Sequence, residues 1–233
     1  MTFEQLYQEL ESLGAEHTKN TYLKHGASSP MFGVSYANLG KLKMKVHSPE
    51  GKVGFHQQFA EQLWASGNLD ARLLACMIAD PATISENTID SWIKEIDYYA
   101  LADSFSDLVY SSPFAMKKML DWTFSDKEYV KRIGYTLLNS FARLNTVFNN
   151  GFFEAYITIV ENEIHHAPNR AKEGMNNCLI AIGSRNEALK KKIIQSSRKI
   201  GKVEIDHGDT GCQTFVIEDY LEKIYARRNM VKQ

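Results

Sequence analysis

The chain has 233 residues, of which 44% are hydrophobic and 24% are charged, and its formal net charge at pH 7 is −1. This composition excludes an intrinsically disordered chain, and the near-zero charge excludes a protein that attracts nucleic acid through its overall charge. There is no run of about 18 apolar residues, and the acidic start 1–14 lacks the basic and apolar regions of a signal peptide, which predicts a cytoplasmic protein without a membrane partner.

The apolar residues recur at helical spacing almost throughout, which predicts an all-α fold. Leu73, Leu74 and Met77 share one helix face, and sustained two-residue alternation is scarce. Ser85 is predicted to cap a helix whose apolar face contains Trp92. Helix-breaking residues divide the chain into helices of roughly 10 to 18 residues. These breaks fall near 14, 28–33, 48–51, 66–68, 80–81, 111–113, 125–126, 149–151, 167–169 and 201–211.

A repeated pattern is visible at 70–75, 130–135 and 171–176, where each segment begins with polar or charged residues and continues as an apolar helix. A period of roughly 30 to 45 residues is typical of stacked helix pairs. The sequence therefore predicts a single domain over 1–233, built as a right-handed solenoid of about five to six antiparallel helix pairs. In such solenoids the second helices line a concave binding surface.

Near the C-terminus, a loop at 201–213 is predicted to precede a last helix at 214–227. The loop contains Asp206, His207 and Cys212, which could supply three metal ligands. Structural zinc needs four ligands, and no CxxC pair accompanies them, so we predict no metal and a turn ordered by Asp and Thr side chains. Since phosphate loops, nucleophile elbows and HExxH motifs are also absent from the sequence, no cofactor is predicted.

The three cysteines, Cys76, Cys178 and Cys212, form an odd set without a close pair. This usage favours a reducing compartment and argues against a disulfide framework. Cys76 and Cys178 are predicted to be small core residues.

Basic residues cluster in several successive segments, among them 41–45, 117–118, 131–132, 190–192 and 198–202. Each cluster alone is typical of a solvated helix face. Their recurrence along the chain favours a surface that neutralises phosphates. Binding of DNA would need such local clusters of cations, because the net charge of the chain gives no overall attraction to phosphate.

Five stretches of the sequence, 26–42, 68–81, 97–104, 128–138 and 176–186, resemble the AlkD-like DNA alkylation repair family, which belongs to the HEAT-like repeat DNA glycosylase superfamily. They occur in the family's order and spacing over most of the chain. The resemblance implies a HEAT-like solenoid that holds double-stranded DNA in a basic concave groove. It further implies excision of N3- or N7-alkylated purines by hydrolysis of the N-glycosidic bond. The predicted DNA-binding residues are Lys41, Lys43, Arg72, Lys131, Arg132 and Lys172.

The resemblance also implies a set of catalytic residues: Tyr99, Asp103 and Arg132. A four-residue separation places Tyr99 and Asp103 on one helix face. The carboxylate of Asp103 would stabilise an oxocarbenium-like sugar or position a water molecule. The ring of Tyr99 would hold the cationic base, at roughly 0.5 to 2 kcal/mol per contact, and Arg132 would bind a phosphate.

Two positions depart from the family's pattern. The family's tryptophan corresponds to Asn177, so that one aromatic wall of the active site is missing and excision is predicted to be slow or altered in substrate. A basic position corresponds to Glu173, whose negative charge would repel phosphate.

Two alternatives therefore stay open: a family member that binds DNA without catalysis, and a protein-interaction solenoid that has lost DNA binding. The same residues also have ordinary structural explanations. Asp103 could be a solvated residue, Tyr99 a core aromatic, and Arg132 an ion-pair partner of Glu128 or Asp103. A monomer is predicted in every case.

Overall fold

In a computed structural model, which describes residues 1–144 and 147–231, the protein contains thirteen α-helices, and no strand is found within those ranges. An isolated antiparallel β-bridge joins His47 to Val53. The all-α prediction is thus confirmed. The helices are α1 (Phe3–Ser12), α2 (Glu16–Lys24), α3 (Tyr36–Lys45), α4 (Gln57–Ala65), α5 (Leu69–Ile78), α6 (Glu86–Trp92), α7 (Tyr99–Tyr110), α8 (Ala115–Trp122), α9 (Glu128–Leu144), α10 (Asn150–Glu163), α11 (Asn169–Gly183), α12 (Glu187–Ile200) and α13 (Ile217–Val231).

The chain forms two compact units. The N-terminal unit comprises 1–116 and 207–211, and the C-terminal unit comprises 117–206 and the residues from Cys212 onwards. Helices α1 to α7 belong to the N-terminal unit, and α9 to α13 belong to the C-terminal unit. No helix within the described ranges is long and apolar enough to cross a membrane.

The core of the N-terminal unit is built around α5, which packs against α3, α4 and α7. Its residues are apolar on nearly every face, as expected for a helix that is surrounded by others. The side chain of Asn68 caps α5 by accepting a hydrogen bond from the backbone N–H of Ala71 at 3.1 Å. Trp64 and Trp92 stack with ring centroids 4.3 Å apart beside this helix. The predicted cap at Ser85 is confirmed, since its hydroxyl accepts from the N–H of Thr88 at 3.0 Å.

A fully buried carboxylate fixes the loop before α3. Asp70 accepts hydrogen bonds from three successive backbone N–H groups, those of Phe32 at 2.6 Å, Gly33 at 3.0 Å and Val34 at 2.7 Å. Gly33 has a φ of +85°, and a Cβ there would lie 2.6 Å from the carbonyl oxygen of Ala15, so that only glycine fits. Asp70 and this loop both lie in stretches that resemble the family, and their role within the N-terminal unit is structural.

In the C-terminal unit, α9 and α11 pack side by side, α12 packs on α10 and α11, and α13 packs on α11 and α12. The last helix begins at Ile217 and extends to Val231, whereas 214–227 was expected. Ile217 is the first buried residue of this segment, while Phe215 and Val216 are exposed and precede the helix. The middle of α13 is bonded to the end of α11, because the hydroxyl of Tyr225 donates to the carbonyl of Gly183 at 3.0 Å.

The cysteines differ sharply in exposure. Cys76 lies in the core of the N-terminal unit and Cys178 in that of the C-terminal unit, and burial raises the pKa of both thiols well above the usual range. Cys212 is exposed. The prediction that Cys76 and Cys178 are core residues is confirmed.

Candidate functional site

The catalytic residues predicted on α7 lie at its start. Tyr99 is the first residue of the helix, and Asp103 follows one turn later, so both side chains leave the same face. Both are half-buried. The ring of Tyr99 lies between two others, with centroids 4.8 Å from that of Tyr98 and 5.9 Å from that of His25. Tyr98 itself is a core residue.

Two further tyrosines surround this face of α7. The hydroxyl of Tyr36 donates to the carbonyl of Ala100 at 3.3 Å and lies 3.1 Å from the hydroxyl of Ser104. The hydroxyl of Tyr22 donates to the carbonyl of Val34 at 2.8 Å. Burial, reinforced by the charge of Asp70, raises the pKa of Tyr22 to about 12. Burial raises the pKa of Tyr36 as well, with Asp103 adding to the shift, so both phenols remain neutral hydroxyl groups.

The acidic side of this face extends along α7 to Asp107. Desolvation raises the pKa of Asp107, and the negative charge of Asp103, one turn away, raises it further. Carboxylates and phenol rings together form a surface that suits a cationic group rather than a phosphate. This arrangement is chemically capable of stabilising a positively charged base or sugar.

The third predicted catalytic residue, Arg132, lies in the C-terminal unit and is 4% exposed. Its guanidinium donates to a carboxylate oxygen of Glu173 at 2.8 Å and to the carbonyl of Arg170 at 3.2 Å. Arg170 donates to the same oxygen of Glu173 at 3.1 Å, and its backbone N–H donates to Glu128 at 2.6 Å. Burial opposes the charged form of Glu173, but the two arginines outweigh it and hold the pKa below the usual range. The charge of Glu173 is thus paired inside the protein.

The predicted DNA-binding residues fall into two groups. Arg72 pairs with Glu95 and lies over the ring of Trp64, and Lys131 pairs with Glu163 at 2.9 Å, so these two cations, like Arg132, already have acidic partners. The second group comprises Lys41, Lys43 and Lys172, which form no ion pair with any residue in the described ranges. Lys41 is exposed, and the other two are half-buried.

Asn177, which the sequence resemblance assigns to the family's tryptophan position, is half-buried on α11. Its backbone carbonyl accepts a hydrogen bond from the side-chain amide of Asn139 at 3.2 Å. Its side chain lines a cleft of about 420 Å³ within the C-terminal unit, bounded by α9, α11 and α13. Asn177 therefore borders an open cleft.

The segment from Asp206 to Cys212 is irregular, with a bend at Asp209 and Thr210. The backbone N–H of Asp206 donates to the side chain of Asn169 at 2.7 Å, and the hydroxyl of Thr210 donates to the carbonyl of His207 at 3.2 Å. In residues 1–144 and 147–231, no group of three or more His, Cys, Asp or Glu side chains is arranged to hold a metal ion.

A sequence model described as DNA alkylation repair enzyme matches residues 6–208. The chain belongs to the DNA alkylation repair enzyme family. The family resemblance predicted from the sequence is thereby confirmed.

Three relatives of this DNA alkylation repair family member cover nearly all of it. An uncharacterized protein of Listeria innocua is 24% identical over 98% of this chain and 100% of its own. An uncharacterized protein of Listeria monocytogenes is 23% identical over 97% of this chain and 99% of its own. A solved structure from a family related to the HEAT-like repeat DNA glycosylases, with affinity for branched DNA structures, has a TM-score of 0.86 and 28% identity, and the match covers 98% of this chain and 95% of that chain. The HEAT-like fold is thus confirmed.

Sequence reasoning missed several residues of these sites. Glu173 was interpreted only as a repulsive charge, although its spacing of three residues from Arg170 permits a helical ion pair. Phe215 and Tyr220, which line the same cleft as Asn177, were not singled out. An aromatic pair next to a helix start is a weak signal, because most such pairs are core residues.

Proposed function

We propose that this protein binds DNA and prefers branched DNA to linear duplex, with little or no excision of alkylated bases. The preference is suggested by the likeness, over nearly the whole chain, to a structure from a family with affinity for branched DNA. Low excision is suggested by Arg132, which is the observation that carries this part of the proposal. A guanidinium that is 4% exposed and bound to Glu173 is a poor ligand for a phosphate at a lesion.

Of the predicted DNA-binding residues, phosphate binding would then rest chiefly on Lys41, Lys43 and Lys172, which have no acidic partner in the described ranges. Arg72, Lys131 and Arg132 would contribute less, because a phosphate would compete with Glu95, Glu163 and Glu173 respectively. With half of the predicted DNA-binding cations already paired, non-specific affinity for linear duplex would be modest.

The first prediction concerns affinity. Binding is measured by fluorescence anisotropy with a four-way junction and with a linear duplex of matching length and sequence. We expect the protein to bind the junction at least about tenfold more tightly, a difference in binding free energy of about 1.4 kcal/mol. The log–log salt slope should fall by about 0.9 for each of Lys41→Ala and Lys172→Ala. Lys94→Ala, at an exposed lysine outside the predicted set, should leave the slope unchanged. Absence of binding to either DNA at low salt would instead support the protein-interaction alternative.

A second candidate function is slow excision of N3- or N7-alkylated purines, favoured by Tyr99 and Asp103 on one face of α7. The carboxylate would stabilise the developing sugar cation, and the ring would contact the cationic base.

The second prediction tests that chemistry. If the site is catalytic and limited by Asn177, then Asn177→Trp should increase release of 7-methylguanine from alkylated duplex by about two- to thirtyfold, the equivalent of roughly 0.5 to 2 kcal/mol. Asp103→Asn in that background should abolish the increase, because it removes the charge and keeps the shape. A folded Asn177→Trp variant that binds DNA and releases no base favours DNA binding without catalysis.

A further inference from the structure

The cleft beside Asn177 has features of a ligand site that the family's chemistry does not use. Its volume of about 420 Å³ lies within the range of about 300 to 1,000 Å³ that is usual for small-molecule sites. Its walls come from α9, α11 and α13, all in the C-terminal unit. Its polar and aromatic lining residues are Asn139, Arg143, Asn177, Ser184, Phe215, Tyr220 and Arg228.

Two aromatic rings at the start of α13 are exposed to this cleft. Phe215 is 52% exposed and Tyr220 is 38% exposed, and their ring centroids are 4.8 Å apart with planes tilted by 47°. Large rings of this kind are usually buried in a stable core, and two adjacent exposed rings indicate a contact surface. Within the cleft they provide a π-face that is open to a flat ligand.

The backbone that carries these rings is firmly held. Asn176, which is almost fully buried on α11, donates its side-chain amide to the carbonyl of Phe215 at 3.0 Å. Leu221, which directly follows Tyr220 on α13, is fully buried, and a Cβ on Gly183 of α11 would lie 2.8 Å from its side chain, so the two helices approach as closely as glycine permits. The rings are therefore presented on a rigid support, which lowers the entropy cost of binding a ligand.

Ion pairs strengthen the same support on the far side of α13. Lys190 of α12 pairs with Glu222 at 3.1 Å, and Arg198 pairs with Glu218 at 2.6 Å. Two of the acidic residues of α13 are thus directed towards α12. The face of α13 that carries Tyr220 and Arg228 lines the cleft.

The cleft is cationic as well as aromatic. A second cleft, of about 470 Å³, shares Arg143, Ser184 and Arg228 with the first and adds Arg185. Arg143 is exposed at the end of α9, and Arg228 is exposed on α13, where it also donates to the carbonyl of Ser184. Among the described residues that line either cleft, none is acidic. The local charge is complementary to phosphate, although the chain as a whole carries a net charge of −1.

We propose that this pair of clefts binds an unpaired nucleotide of DNA. Its base stacks on Phe215 and Tyr220, and its flanking phosphates lie against Arg143 and Arg228, where the two clefts meet. Stacking on exposed rings beside a cationic groove is the general mode by which proteins bind single-stranded nucleic acid. Asn139 and Asn177 also line this cleft, and a side-chain amide is a group that can bond to a base edge.

This inference rests on the proposed function and deepens it. Branch points and strand ends expose unpaired bases, so a site for one such base would give preference over continuous duplex. It also accounts for asparagine at 177, since a tryptophan at that position would occupy the space that the nucleotide needs.

The test uses the full-length protein and four DNA probes: a four-way junction, a blunt duplex, the same duplex with a single-stranded overhang, and the overhang duplex with 2-aminopurine in the overhang as a stacking reporter. We expect the wild type to bind the overhang DNA more tightly and to quench 2-aminopurine fluorescence. Phe215→Ala and Tyr220→Ala should each weaken overhang binding by roughly 5- to 150-fold and leave blunt-duplex binding unchanged. Phe124→Ala, at another exposed ring of the same unit, is the matched control.

Arg143 tests the phosphate half of the site, because it is exposed and its loss should not affect folding. Arg143→Ala should reduce the salt slope for overhang DNA by about 0.7, the value for one phosphate of a single strand, and Arg143→Lys should restore it. Thermal unfolding of each variant shows whether the fold is retained.

The outcomes separate this site from the proposed function. Binding of junction DNA without preference for the overhang, or quenching that survives Phe215→Ala combined with Tyr220→Ala, would overturn the nucleotide site alone. No binding to any DNA would overturn both. Loss of overhang preference in the aromatic variants, with duplex binding intact, supports the site.

Discussion

Replacing Asp70 with asparagine is expected to lower the free energy of unfolding by roughly 3 to 5 kcal/mol. The carboxylate accepts three backbone N–H bonds from 32–34 in a fully buried setting. An asparagine side chain has one acceptor oxygen in place of two. Its NH2 group would face a buried backbone N–H of the loop at 32–34, which would then have no acceptor. Loss of charge-assisted bonds and an unsatisfied donor each cost about 1 to 3 kcal/mol.

Urea unfolding, monitored by circular dichroism, measures this change in the free energy of unfolding. The dependence of that free energy on urea concentration should be the same in both proteins if unfolding is two-state. Asp121→Asn, at an exposed aspartate, is the control and should shift stability by no more than about 0.5 kcal/mol. A small effect at Asp70 would mean that the loop at 32–34 keeps its geometry without the carboxylate.

The second large effect is expected at Glu173. Glu173→Gln leaves Arg132 and Arg170 buried without their shared counter-charge, which should cost about 3 to 5 kcal/mol. Because the folded-state pKa of Glu173 lies below its unfolded value, its contribution is fully present above about pH 4.5, the ordinary pKa of a Glu carboxyl. That contribution is lost as pH falls through the folded pKa. The difference between wild type and variant should therefore shrink at acidic pH.

Chemical unfolding of both proteins between neutral pH and about pH 3 measures this convergence. Glu154→Gln removes the exposed pair with Lys192 and should cost at most about 1 kcal/mol. A difference that stays constant with pH would show that Glu173 acts through packing rather than charge. Duplex affinity of Glu173→Gln also tests Arg132: an increase would support the prediction that this guanidinium can bind phosphate.

The fold could be predicted because its signals are local. Apolar residues at helical spacing, such as Leu73, Leu74 and Met77, determine helix faces, and Ser85 caps α6 through an interaction within one turn. The boundary of α13 was less predictable. Its start depends on where Ile217 becomes buried against other helices, which the sequence around it does not encode.

The candidate site was less predictable from the sequence, because its properties depend on contacts between segments that are distant along the chain. The ion pair between Arg132 and Glu173 joins residues that are 41 positions apart. From the sequence, Arg132 is a cation available to DNA and Glu173 a repulsive charge, whereas in the structure they neutralise each other. Asp70 was interpreted as part of a polar helix start, and only the tertiary contact with 32–34 reveals it as a buried ligand for backbone amides.

The contrast between the three cysteines has a consequence for a protein of an alkylation repair family. The reactive form of cysteine towards electrophiles is the thiolate, and burial suppresses it at Cys76 and Cys178. Exposure leaves Cys212 as the position where an alkylating agent can reach a thiol in the folded chain. A maleimide dye should accordingly label the native protein once, at a position three residues before Phe215.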